Sequence, residues 1–139
     1  MSEGHRTFDH TGDLGLEVWA ESPERLYARA AEAVMAQVAE AGAGEAEIRR
    51  TLELTGDNPE DLLVHWLNTV LLEGELQRAL WTRVTVGRLA PGEMAATLEG
   101  QRLDSGRQIF LREIKAVSHH FLELDLVSRP CRCRMVLDL

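Results

Sequence analysis

The sequence predicts an α+β fold, two-layer, with two main helices packed on a mainly antiparallel or mixed β-sheet. Three observations predict it. Two stretches with a helical apolar period each open on a capping residue followed by proline, Ser22-Pro23 and Asn58-Pro59. Several other stretches alternate apolar and polar residues with a period of two, the mark of half-buried strands. The order is strand, helix, strand, helix, then a run of strands, which suits helices gathered on one face of a sheet. A doubly wound nucleotide-binding fold is disfavoured, since the chain has no G-x-G-x-x-G and no P-loop.

The elements follow in order. Leu14, Leu16, Val18 and Ala20 alternate with Asp13, Gly15, Glu17 and Trp19, predicting a first strand over 13–20. After the Ser22 cap, Leu26, Ala30, Val34 and Val38 recur at spacing four and carry an amphipathic helix to about Ala41. Ile48, Arg50, Leu52 and Leu54 resume the alternation of a strand. The second helix runs from the Asn58 cap, with Glu60 and Asp61 in its first turn, to about Leu80. Its buried stripe is Leu62, Leu63, Trp66, Leu67, Val70 and Leu71, so Trp66 reads as core rather than a cofactor platform. Val84 with Val86, a turn at "APGE", and Met94 with Ala96 and Leu98 predict a hairpin. A loop over 100–108 leads to two closing strands, 111–124 and 131–139. Cys131 and Cys133 share a face of the last strand and read as small buried residues, because one C-x-C pair alone is too little for structural zinc.

Composition bounds the function. The 139 residues, 45% apolar and 27% charged, are expected to form one domain, 1–139. No apolar run approaches the ~20 residues of a membrane span, and no basic flank precedes an apolar segment at the start, so a cytoplasmic protein is expected. A net charge of −8 disfavours strong direct nucleic-acid binding and leaves room for a cation or a basic partner.

The candidate chemistry lies at the two ends of the sequence. The chain closes "MVLDL", an apolar run around one aspartate, where loose polar residues are the rule. By strand parity Asp138 falls with Arg132, Arg134 and Val136 on the polar face, and Asp13 falls on the polar side of its own strand. If these strands are neighbours, the two carboxylates converge, with the terminal carboxylate of Leu139 one residue on. Three such groups repel one another unless a cation joins them, and oxygen donors suit calcium, magnesium or manganese rather than zinc. The plainer alternative is that Asp13 caps a turn and Asp138 is solvated. A hydrolytic triad is disfavoured: there is no G-x-S-x-G, and Ser118 points away from its neighbour His119 on a strand. His119 and His120 cannot both serve one metal for the same reason, one facing the core and the other the polar face. His10 and His119 are the accessory candidates, with the choice between His119 and His120 left open. Lys115 shares parity with Glu113, Val117 and His119. It is either a solvated edge residue or a cation that neutralises a carboxylate cluster or a phosphate.

The stretches "FDHTGDLGLEVWAESPERLYARAAEAVM", "DLLVHWLNTVLLEGE", "REIKAVSHHFLEL" and the terminal "VLDL" resemble the archease family in order and spacing over nearly the whole chain. Departures are small: Gly12 stands for the usual alanine, Ser118 for threonine and His119 for a frequent aromatic. The resemblance implies a small α+β protein that is not itself an enzyme but activates an RtcB-type RNA ligase in tRNA splicing and RNA repair. It implies help with the ligase's guanylylation by GTP and with repeated turnover, GTP and tRNA being met only through the ligase. It also implies a divalent metal, usually taken to be calcium in the family, on Asp13, Asp138 and Leu139, and a part for Lys115 in activation alongside Asp13 and Asp138. The rival readings are a stand-alone metal-dependent phosphoesterase and a metal-stabilised structural adaptor.

Overall fold

The computed structural model describes residues 3–139. Strand β1 (Gly4–His10) turns through Thr11-Gly12 into β2 (Asp13–Ala20). Gly12 takes φ +75 there, the left-handed position that a tight turn reserves for glycine. Helix α1 (Pro23–Val38) begins where expected, with the Ser22 hydroxyl accepting from the Arg25 amide. A short β3 (Ala39–Glu40) and β4 (Ile48–Thr55) lead to α2 (Pro59–Gln77), capped by the Asn58 side chain accepting from the Asp61 amide. Strands β5 (Ala79–Ala90) and β6 (Glu93–Arg102) form the expected hairpin. A two-residue β7 (Ile109–Phe110), then β8 (Ala116–Asp125) and β9 (Cys131–Asp138), complete the chain.

Among the described residues all strand pairs are antiparallel and fall into three sheets: β1-β2-β9-β8, β4-β6-β5 and the small β3-β7 ribbon. Helix α1 packs on β2 and β5, and α2 on β8, β4 and β5, so each helix touches both larger sheets. The core between them holds Leu16, Val18, Trp66, Leu67, Leu98, Met135 and Leu137, all fully buried. The helices are tied across their contact in both directions. The Trp66 indole donates to the Tyr27 carbonyl at 2.9 Å, and the Tyr27 hydroxyl donates to the Pro59 carbonyl at 2.6 Å.

Several boundaries differ from expectation, among them the end of α1, which stops at Val38 rather than about Ala41 because Ala39 and Glu40 pair with β7. Strand β1 has no counterpart in the sequence reading, because as an edge strand it leaves His5, Arg6 and Thr7 exposed and shows no clean alternation. Helix α2 stops at Gln77 rather than Leu80, with Arg78 taking φ 50 as the cap. Leu80 and Trp81, apolar enough to prolong the helix, instead enter β5 and are buried there. Strand β8 starts only at Ala116, so Ile114 and Val117 are both buried and simple parity does not reach back to Lys115.

Cys131 and Cys133 are free thiols buried on the helix side of the sheet, as their spacing predicted. Burial pushes the Cys133 thiol up to about 12, against an ordinary value near 9. The group therefore favours folding fully below pH ~9, where both states keep the proton, and that contribution is lost as pH rises toward 12. Native protein is expected to resist iodoacetamide at both cysteines at neutral pH and to react fully in denaturant. Alkylation of the folded protein at the denatured rate would overturn this burial.

Candidate functional site

The β1-β2-β9-β8 sheet turns one face to the helices and the other to solvent, and the candidate residues lie on the second. On the helix side stand Leu16, Val18 and Ala20 of β2, with Cys131, Cys133, Met135 and Leu137 of β9, all buried. Asp13 and Asp138 have the opposite parity, as predicted. The strands are indeed neighbours: Leu14 stands opposite Leu137, and one further step in that register sets Asp13 beside Asp138. On the flanks, His10 pairs with Asp13, and Ala116 pairs with Asp138. One row across the end of the sheet therefore carries His10, Asp13, Asp138 and Ala116, with Leu139 following at an exposed position.

The row is anchored by backbone bonds. The Lys115 amide donates to the Asp138 carbonyl at 2.8 Å. Beside it, Asn68 of α2 serves the free edge of β8 as a surrogate strand. Its amide donates to the Val117 carbonyl at 3.1 Å and its oxygen accepts from the Val117 amide at 2.8 Å. Sequence reading passed over Asn68, since a lone polar residue on a helix carries no local signal of such a clamp.

Electrostatics distinguish this row from the rest of the face. Glu17 is paired with Arg6 at 3.1 Å and Arg134 at 3.8 Å, and Arg134 also meets Glu123 and lies over the Phe8 ring at 4.0 Å. Phe8 lies across Gly15, where a Cβ would sit 2.2 Å from its ring, so only glycine allows that stacking. Asp13 and Asp138 have neither an ion pair nor a side-chain hydrogen bond among the described residues, although both are partly buried. Two adjacent carboxylates in that state are a poor arrangement by themselves and a good one around a cation. The His10 Nδ1 atom, buried at the same end of the sheet, also has no hydrogen-bond partner. Among the described residues no three His, Cys, Asp or Glu side chains gather as a metal-binding group. A cation held here therefore needs a further oxygen beside Asp13 and Asp138. The donor set fits a hard divalent ion.

The remaining candidates divide. Lys115 is exposed at the edge of the row, and its side chain makes no ion pair among the described residues. His119 is drawn elsewhere: its Nε2 stands 3.1 Å from Asp61 Oδ1 on the first turn of α2. The reason is an irregularity in β8. Ser118 pairs with Val136 and Glu123 with Arg134, so β8 spends five residues where β9 spends two. The excess loops out, and at its tip Phe121 takes φ 61 with 58% of its surface exposed. Its ring lies 4.9 Å from His10 and 4.0 Å from His120.

Comparison with known proteins identifies the family and the fold. A family model described as the Archease protein family (MTH1598/TM1083) matches residues 5–139, including every candidate position. The chain belongs to the archease family. Protein archease of Methanopyrus kandleri is 28% identical over 134 residues, covering 94% of this chain and 96% of that protein. Protein archease of Methanothermobacter thermautotrophicus is 26% identical, with 99% of each chain covered. Among solved structures, Methanobacterium thermoautotrophicum protein 1598 superposes with a TM-score of 0.79 at 25% identity, covering 98% of this chain and 99% of that one. An archease from Thermotoga maritima, described as a possible chaperone, shares the fold with a TM-score of 0.66 at 20% identity. The archease α+β fold is thus the fold of this chain. No helix among the described residues is long and apolar enough to cross a membrane.

Proposed function

We propose that this archease is a protein cofactor of an RtcB-type RNA ligase. It promotes guanylylation and repeated turnover of that ligase without a chemical step of its own. One observation carries the reading: in an archease-family chain, Asp13 and Asp138 stand side by side at the end of the sheet with no protein cation among the described residues to balance them.

In this reading Asp13, Asp138 and the carboxylate of Leu139 hold a divalent metal, calcium as the family resemblance implies, with manganese or magnesium equally suited to an all-oxygen donor set. A cation there supplies positive charge that phosphate oxygens can share. The chain's own contribution is positional. The sheet register fixes the spacing of the two aspartates, Asn68 and the Lys115 amide hold the adjoining strand, and Lys115 stands ready at the rim for an anionic group. Aligning reactive groups in this way can supply a large part of a rate enhancement. The net charge of −8 suits a basic, metal-using partner and a ligase-mediated approach to RNA rather than direct binding.

The test is multiple-turnover ligation of 2′,3′-cyclic-phosphate RNA by the RtcB-type ligase of the same organism. Wild-type protein is expected to raise the product formed per ligase well above one. Asp138→Ala, folded by circular dichroism, is expected to lose that stimulation, and Lys115→Ala most of it. An active ligase that ignores the wild-type protein would refute the activator reading. A folded Asp138→Ala that stimulates fully would refute the role given to the carboxylates.

A further inference from the structure

The β8 bulge is the part of this face that the carboxylate row leaves unexplained. A bulky side chain at positive φ is an outlier, and such backbone strain costs stability. Phe121 accepts it, at φ 61, in order to leave most of a phenyl ring in solvent. The core gains little from an aromatic exposed to 58%. Nor is the bulge a slack loop. Its base is fixed by Asn68 at Val117, the His120 amide donates to the Ser118 hydroxyl at 2.9 Å, and His119 is pinned to Asp61.

The ring is also placed. It leans across the sheet to His10, the residue that faces Asp13 in the hairpin register. With Phe8, His10, Leu122, Arg134 and Val136 it walls an open cleft of about 420 Å³. Around this apolar ridge the charges are mostly acidic: Asp9 and Glu123 line the cleft, and Asp13 and Asp138 lie in the row beside His10. The cation of the cleft wall among the described residues, Arg134, is already engaged by Phe8, Glu17 and Glu123.

We propose that Phe121 is the anchor by which this protein docks on the ligase, entering an apolar pocket whose rim is basic. This rests on the activator reading above. An exposed, rigidly held aromatic ringed by charge is the pattern of an interface centre, where aromatic residues are enriched and complementary charge selects the partner. Docked through Phe121, the Asp13–Asp138 row is delivered to a defined place on the partner, so the anchor acts as a positioning residue and not as a catalytic one.

The test titrates wild type, Phe121→Ala, Phe121→Gly and Phe121→Leu against a fixed amount of ligase in the turnover assay, with a melting curve for each protein. Phe121→Ala is expected to raise the half-maximal concentration at least tenfold, with the plateau of stimulation regained at high concentration. Phe121→Leu is expected to recover most of the affinity, since apolar bulk is what the pocket takes. Phe121→Gly is expected to bind as poorly as alanine yet to melt no lower than wild type, because glycine relieves the left-handed backbone. Variants that titrate like wild type would overturn the anchor and leave the activator reading standing. A lower melting temperature for Phe121→Gly would also overturn it, in favour of a structural ring. No stimulation by the wild type would remove the activator reading, and the anchor with it.

Discussion

Trp66→Ala is expected to lower the free energy of unfolding by about 3–5 kcal/mol, the usual range for truncating a fully buried aromatic. Trp66 has no exposed surface, sits in the middle of α2, and reaches α1 through its bond to the Tyr27 carbonyl. Removing the indole opens a cavity at the junction of both helices with the sheets, where close packing lets neighbours collapse only in part. Since small domains are stable by about 5–15 kcal/mol, the variant would lose at least about a fifth of its margin. Urea unfolding followed by circular dichroism should show a lower midpoint at an unchanged slope. Trp66→Phe keeps most of the volume and drops only the indole donor, so it should fall nearer the ~1 kcal/mol of a single hydrogen bond. If Trp66→Ala unfolds within ~1 kcal/mol of wild type, the helix pair is not locked through this residue.

The same residue shows why much of the fold was legible. Trp66 joins Leu62, Leu63, Leu67 and Val70 in a stripe, and the caps Ser22-Pro23 and Asn58-Pro59 act within a few residues of themselves. Local physics of this sort leaves a local trace. The convergence of Asp13 and Asp138 was legible for a similar reason, since strand parity is a two-residue rule and needed only the added fact that β2 and β9 pair.

What escaped was set by tertiary contact. The end of α2 at Gln77 has no glycine to mark it, because Arg78 takes the left-handed cap itself. The bulge in β8 contains neither glycine nor proline, so no breaker announces it. Its signal was a change of phase: Val117 is buried at an odd position, whereas Leu124 pairs with the buried Cys133 at an even one. Apolar residues can change parity within one strand only if an odd number of residues is extruded between them. That phase change sets His119 apart from the metal candidates and brings Phe121 to the surface of the site.

Millimolar calcium is expected to raise the melting temperature of the wild-type protein by roughly 10 °C. A ligand at ~100 times its dissociation constant stabilises the state it binds by about 2.7 kcal/mol, and a domain of this size gains a few degrees per kcal/mol. Asp138→Asn should lose that shift, and its behaviour in EDTA decides what the aspartates are for. In EDTA, wild type carries two facing carboxylates with no protein cation between them among the described residues, and like charges directly opposite on paired strands destabilise the pair. At ~5 Å that repulsion amounts to about 1 kcal/mol in a water-like dielectric. The amide keeps the shape and removes one charge, so in EDTA the variant should melt at or slightly above wild type, while in calcium it should melt well below. Such a crossing cannot come from lost packing, which lowers the melting temperature in both conditions. If Asp138→Asn melts lower than wild type in EDTA, or keeps its calcium shift, then Asp13 and Asp138 do not hold a metal.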